Sequence, residues 1–128
     1  MSRDSSPRAV APPGWPRQVP PAGVPGWEDS AARWMLDLCP PEYRHYSGLR
    51  RYVAVLARFA VLHVESMQEG ARRGLSEGRT ALRDVAEQDV VDKALATWEL
   101  EAARLAALRR SVGLVEDALR GRRFHERL

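Results

Sequence analysis

Cysteine, lysine and long hydrophobic runs are scarce in this chain of 128 residues. Cys39 is the single cysteine, which excludes a disulfide framework and a cysteine-based metal site; we expect a buried thiol in a reducing cytoplasm. The longest apolar run, residues 52–64, is interrupted by Arg58. It is too short to cross a bilayer, so the sequence favours a buried helix segment there and no membrane partner.

Lysine is nearly absent, since nineteen of the twenty basic residues are arginine. A GC-rich coding sequence is the favoured explanation, because arginine codons are GC-rich. The net charge of +3 is too small to indicate a partner, but its distribution is uneven. Residues 47–83 carry seven arginines against three acids, whereas residues 84–117 carry four bases against eight acids. Opposite charge on consecutive segments favours two helices that lie side by side.

Proline is concentrated at the start, where residues 1–25 hold seven of the nine prolines. Proline lacks an amide donor and restricts the residue before it, so neither a helix nor a sheet runs through this stretch. We predict a disordered or polyproline II arm over residues 1–25. A solvated leader, with Trp15 folded back on the domain, is favoured over docking of its proline pairs on a partner's aromatic groove.

The chain is organised around residues 49–82, which predict one long helix. Apolar or small residues recur there at steps of three and four: Val53, Leu56, Ala60, Val64, Met67, Ala71, Leu75, Gly78 and Leu82. This spacing places them on one face of a nearly straight helix, with Ser47 as its N-cap. Residues 52–64 are apolar nearly all round, so we expect neighbours on more than one side there.

A second long helix is predicted from about Val90 to Arg120. Val91, Trp98, Leu105, Val112 and Leu119 repeat every seven residues, and Gly121 is a suitable stop. No glycine or proline separates the two helices, so one continuous helix is conceivable, but a turn around residues 84–89 is favoured. Asp89 and Asp84 are the alternative N-caps after it.

A short helix carrying Trp27 and Trp34 precedes the long ones. Glu28 and Asp29 would stabilise its first turn, and Pro40-Pro41 ends it. It is too short to be stable alone, so we expect it to pack on residues 52–64. A single helical turn with proline near its first position follows in residues 41–46. The predicted helical domain is 26–121, and residues 122–128 form a frayed basic tail.

Gly70, Gly74 and Gly78 lie four residues apart inside the predicted helix. Three glycines there cost roughly 3 kcal/mol relative to alanine. Fraying or bending of the helix is the favoured explanation, and a close contact with another helix is the alternative.

No residue pattern predicts catalysis or a cofactor. Glu42-x-x-His45 has the spacing of a shared metal ligand pair, but a single copy favours an ordinary loop histidine. His63 lies in the apolar run, where a buried neutral imidazole is favoured over a ligand or base. Arginine clusters around residues 50–58, 72–79, 109–110 and 120–123 could hold phosphates if they converged, but interspersed acids favour a solvated, partly paired surface.

Three segments carry a resemblance: PPGWPRQVPP, GWEDSAARWMLDLCPPEYRHY and LRRYVAVLARFAVLHVE. The chain resembles a group of short uncharacterised proteins from high-GC bacteria, most strongly up to Glu65. Trp15, Trp27, Trp34 and Tyr43 are its recognisable positions, and a proline commonly stands in the group where this chain has Val53. The resemblance implies a bacterial cytoplasmic protein and carries no function.

The sequence therefore predicts an all-α fold: an antiparallel hairpin of two long helices plus one short N-terminal helix, preceded by a disordered arm. Because one short helix cannot cover both long seams, we expect a non-enzymatic interaction or scaffold module that binds itself, as a dimer, or another helical protein. The candidate interface is the pair of exposed seams, Met67, Ala71, Leu75, Leu82, Leu105, Val112 and Leu119. The alternative is a small nucleic-acid-associated protein that uses the arginine clusters.

Overall fold

The computed structural model describes residues 10–121, in which helices are the sole regular structure. Four α-helices follow one another: α1 (Trp27–Leu38), α2 (Ser47–Arg51), α3 (Val53–Leu82) and α4 (Gln88–Leu119). A 3₁₀ turn, Pro41–His45, lies between α1 and α2 and begins with the predicted proline. The all-α prediction is confirmed, and so is the pairing of the two long helices.

α3 and α4 form an antiparallel hairpin. The amides of Val85 and Ala86 donate to the carbonyl of Leu82 at 3.0 and 3.2 Å, which closes the turn between the helices. Arg79 reaches Asp92 across the hairpin near this turn, with Nη1 2.8 Å from Oδ1. The turn therefore lies in the predicted region. Glu87 is the N-cap residue of α4. Neither predicted cap is therefore correct, because Asp89 lies in the first turn of the helix and Asp84 lies three residues before the cap position.

The seam between the long helices contains the residues that the spacing predicted. Leu105 and Val112 are buried on α4, and Val64 and Ala71 are buried on α3. Val115, three residues after Val112, is fully buried as well. The helical periodicity therefore identifies which faces of α3 and α4 meet.

The structure explains Gly74 and Gly78 of α3 by a close contact between helices, whereas the sequence favoured fraying or bending of the helix. The indole of Trp98 lies over Gly74 and Gly78, and a Cβ added at these positions would lie 2.3 and 2.6 Å from its ring atoms. The helix continues without interruption to Leu82, so fraying is not the explanation. Glycine is needed at Gly74 and Gly78 because a side chain would displace the indole, so the alternative of close contact with another helix is correct for these two positions. It does not apply to Gly70, where an added Cβ would meet nothing within 4 Å.

α1 packs on the first half of α3, as expected from its two tryptophans. Trp34 and Met35 are buried in one apolar cluster with Leu56, Ala60 and residues of α4. α1 begins after Gly26, whose φ of +84° turns the chain into the helix. It ends before Pro40, which cannot continue the helical hydrogen-bond ladder.

The long helix begins later than predicted. Ser47 starts the five-residue helix α2, which is followed by its C-cap residue Tyr52 with φ −118° and ψ 87°. α3 then starts at Val53, and the carbonyl of Tyr52 accepts from the amides of Val55 and Leu56. Ser47 is therefore not the N-cap of the long helix, because an extended residue separates the two helical segments.

Residues 10–25, for which the sequence predicts a disordered or polyproline II arm, pack on the helices through single turns. Trp15 donates from Nε1 to the carbonyl of Val19 at 2.9 Å, and Val19 is 3% exposed. The hydroxyl of Ser111 on α4 donates to the carbonyl of Gly14 at 2.6 Å. Proline prevents regular structure but leaves tight turns available, and these turns bury apolar side chains. The remaining predictions, disorder over residues 1–9 and fraying over 122–128, concern residues outside the described part of the chain.

Candidate functional site

The seam predicted as an intermolecular interface is largely used within the chain. Its most buried members are Ala71, Leu105 and Val112. The other four are partly covered on the same faces: Met67, Leu75, Leu82 and Leu119. Buried side chains cannot meet a partner without opening the hairpin, so the expectation that Ala71, Leu105 and Val112 lie at an intermolecular contact is corrected. They form the core between α3 and α4.

A different apolar surface is exposed at the start of α3, and we call it the α3 stripe. Its members are large side chains with about half of their surface in solvent: Tyr46 at 56%, Tyr52 at 60%, Val55 at 47%, Phe59 at 43% and Leu62 at 55%. The last four are separated by three, four and three residues, which places them on one side of the helix. Exposed apolar patches of this kind mark interaction sites.

The α3 stripe is exposed because α1 and α4 cover only part of α3. Leu56, Ala57, Ala60 and Val61 are fully buried against these two helices. The same stretch carries Val55, Phe59 and Leu62 on its remaining side. The sequence predicted that residues 52–64 need neighbours on more than one side, and within the described chain two sides are occupied.

Tyr43 supports the α3 stripe from the 3₁₀ turn. Its ring centroid lies 5.8 Å from that of Phe59, edge to face at 90°, and 6.1 Å from that of Tyr46. Tyr43 is itself packed against the apolar cluster of α1, α3 and α4. Aromatic pairs in these arrangements attract each other beyond their buried area. Two aromatic rings of the stripe are therefore held in place before any partner binds.

The histidines that the sequence offered as ligands do not form a metal site with their neighbours. His45 and Glu42 are both exposed in the 3₁₀ turn. His63 is half-buried, with its ring centroid 6.4 Å from that of Tyr43. Within residues 10–121, no group of three histidine, cysteine, aspartate or glutamate side chains could hold a metal ion. His63 therefore contributes to the edge of the α3 stripe.

Most of the predicted arginine clusters are engaged in ion pairs. Arg58 and Arg120 both contact the carboxylate of Glu116, at 3.1 and 3.4 Å, and Glu116 is 7% exposed. Arg109 contacts Glu65 at 2.9 Å across the hairpin. On the outer surface the hydrogen bond from Arg72 lowers the pKa of Glu69. These acids reduce the positive charge that the clusters present to a phosphate backbone.

Arg50 and Arg51 differ from Arg58 of the same cluster, which pairs with Glu116. Both are exposed, directly before Tyr52 of the α3 stripe, and they make no ion pair with a described carboxylate. Two free guanidinium groups thus border one end of an apolar surface. The sequence showed the arginine pair but not this neighbourhood.

No family model, no curated protein and no solved structure matches the chain. The resemblance to a group of short bacterial proteins stays a prediction. No helix in the described residues is long and apolar enough to cross a membrane.

Proposed function

We propose that this chain is a non-enzymatic helical interaction module and that its binding surface is the α3 stripe. The observation that carries the proposal is the half-exposed row of Tyr52, Val55, Phe59 and Leu62 at the start of α3, where α1 and α4 cover only two sides of the helix. Burying such side chains is favourable by about 25 cal/mol per Å² of apolar surface. A partner that covers the row would gain this free energy without any change in the fold.

The polarity of the rest of this helix face supports the proposal. Continuing the spacing beyond Leu62 leads to Ser66, Arg73 and Glu77, which are exposed and polar. Arg73 and Glu77 pair with each other at 3.2 Å. The same side of α3 is therefore polar in its second half and apolar in its first half. Exposure alone does not account for apolar residues in the first half.

The dimensions of the α3 stripe indicate a helical partner. From Tyr52 to Leu62 the row spans about 15 Å, or nearly three turns. Its spacing presents a ridge that the apolar seam of another helix can pack against. Tyrosine and phenylalanine supply the kind of aromatic anchor that dominates binding energy at interfaces. We propose a cytoplasmic location for this interaction, in agreement with the buried thiol of Cys39.

Photo-cross-linking in the cells of the source organism tests the proposal. A photoreactive phenylalanine analogue replaces Phe59, and the matched control carries it at Leu100, which is 74% exposed on α4. We expect a discrete adduct from position 59 and none from position 100, and the adduct should disappear when Leu62→Glu is added. Equal labelling from both positions, or no adduct at 59, would contradict the proposal.

Nucleic-acid binding through Arg50 and Arg51, next to Tyr52, is the second candidate. It predicts affinity for single- or double-stranded nucleic acid that falls steeply with salt, because neutralised phosphates release counterions. Electrophoretic mobility at low salt, with Arg50→Gln and Arg51→Gln together as the variant, measures it. Absence of any complex at low salt eliminates this candidate and leaves the interaction module unaffected.

A further inference from the structure

The charges at the two ends of the α3 stripe have opposite signs. Arg50 and Arg51 precede its first helical member, and Glu65 and Glu69 follow Leu62. All four are exposed. Glu65 and Glu69 keep 45% and 54% of their side chains in solvent even though each pairs with an arginine of its own chain. An apolar row with arginines at one end and glutamates at the other is complementary to a reversed copy of itself.

We infer that the partner of the α3 stripe is a second copy of this chain, docked antiparallel across a two-fold axis; the inference rests on the proposed function. An axis between Arg58 and Phe59 places Val55 opposite Leu62 of the second copy. Two-fold contacts are isologous, so the same pair forms twice.

The same axis brings the opposite charges together. Counted in residues from the axis, Arg51, the last residue of α2, falls within about one residue of the level of Glu65 of the second copy. The reversed direction is required, because a parallel pair would place arginine against arginine and glutamate against glutamate. Repulsion between like charges at the same level disfavours the parallel arrangement. The order of the charges along the α3 stripe therefore favours the antiparallel dimer.

The exposed area indicates a modest, concentration-dependent dimer. An aromatic side chain contributes about 150–250 Å², so three half-exposed rings supply roughly 300 Å² per copy. Val55, Leu62 and the charged rim enlarge this surface, which still lies below the ~800 Å² per partner of a standard interface. We expect a dissociation constant in the micromolar range, roughly 1 μM or weaker.

Sedimentation velocity of the purified full-length chain, from low to high micromolar concentration, tests the inference. We expect a monomer–dimer equilibrium that Leu62→Glu shifts to monomer, whereas Leu100→Glu, the matched control on α4, leaves it unchanged. Both substitutions are at exposed positions, and far-ultraviolet circular dichroism verifies that the helices persist. A dimer that survives Leu62→Glu overturns the inference.

A charge swap tests the antiparallel arrangement. Arg51→Glu alone and Glu65→Arg alone should each weaken the dimer about fivefold, since two exposed pairs are lost per dimer. The two substitutions together should restore the affinity, because they exchange the partners within each contact. Arg109→Glu is added to every variant that carries Glu65→Arg, so that the ion pair within the chain is kept. Failure of the Arg51→Glu, Glu65→Arg combination to recover in that background would overturn the antiparallel arrangement.

Failure of this inference and failure of the proposed function give different results. A strict monomer at every concentration, with an adduct from position 59 that contains another protein, overturns the second copy and retains the interaction module. A strict monomer without any adduct overturns both. An adduct of twice the chain mass, formed by the purified protein and lost with Leu62→Glu, supports both.

Discussion

Replacing Gly74 by alanine should destabilise the protein, although alanine is the better helix former. A Cβ at this position would lie 2.3 Å from Cε2 and 2.4 Å from Cδ2 of Trp98. Carbon atoms prefer separations of about 3.5–4.0 Å, so the overlap exceeds 1 Å against a rigid ring. Overpacking of this kind costs typically 1–3 kcal/mol, and the size of the overlap places Gly74→Ala in the upper part of that range.

Gly70 provides the matched control, because it lies one helical turn earlier on α3 and a Cβ there would meet nothing within 4 Å. Gly70→Ala should therefore show the propensity gain alone, about 1 kcal/mol of added stability. Gly74→Ala gains the same amount and loses about 3 kcal/mol to the clash, which leaves a net loss of about 2 kcal/mol. The two variants differ only in what stands opposite the new methyl group.

Urea unfolding followed by circular dichroism measures both changes, provided that the dependence of the unfolding free energy on urea is the same for all variants. A Trp98→Leu background completes the test, since it removes the indole atoms that would be struck. In that background we expect Gly74→Ala to become stabilising, as a double-mutant cycle would report. If Gly74→Ala stabilises the wild-type protein as much as Gly70→Ala does, the packing of Trp98 on α3 is refuted.

Three further predictions address other parts of the chain. Burial raises the pKa of the Cys39 thiol to about 11 from an ordinary 9.0. The fraction of Cys39 present as thiolate at pH 8 should therefore be about hundredfold lower in the folded protein than in the unfolded one. We expect a thiol reagent to label Cys39 only after denaturation. Because the pKa of Cys39 is higher in the folded state than in the unfolded state, the stabilisation from its protonated thiol is complete below pH 9 and is lost as the pH rises towards 11. Glu116→Gln should lower the free energy of unfolding, measured with heat or urea, by about 1–2 kcal/mol, because two guanidinium groups lose a largely buried anion. Glu101→Gln on the outer surface is the control and should change the free energy of unfolding little. Val53→Pro should change the free energy of unfolding by less than about 1 kcal/mol, because Val53 is the first residue of α3 and proline is tolerated at that position. Val61→Pro in the middle of the same helix should lower the free energy of unfolding by about 3 kcal/mol or more.

The helical periodicity predicted α3 and α4 because each helix must bury one face. The spacing of Val64, Ala71, Leu105 and Val112 gave the seam correctly, and the charge difference between the two segments agreed with their pairing. The periodicity could not show whether the residues that cover this seam belong to the same chain or to a partner. A pattern of apolar residues shows that a face is buried, but the identity of the neighbour depends on the turn and on which helices reach it.

Packing against the hairpin was harder to predict where no periodic pattern exists. Residues 10–25 fold through single turns whose burial depends on Trp15 and Val19 reaching α1 and α4. Likewise, the role of Gly74 depends on the register that brings Trp98 over it, and that register comes from the turn after Leu82. Proline content and glycine spacing constrain the backbone, but they do not show which side chain lies opposite.

The two halves of the hairpin bury their apolar residues in different ways, and this difference supports the proposed interaction surface. In the half near the turn, Gly74 and Gly78 let Trp98 pack against the α3 backbone, and polar residues occupy the outer face of α3. That half completes its core with two helices. In the other half α1 adds a third helix, yet Phe59 and Leu62 still face solvent. Because α3 makes its outer face polar where no neighbour is needed, the apolar outer face at its start supports the proposal that a partner outside the described residues covers it.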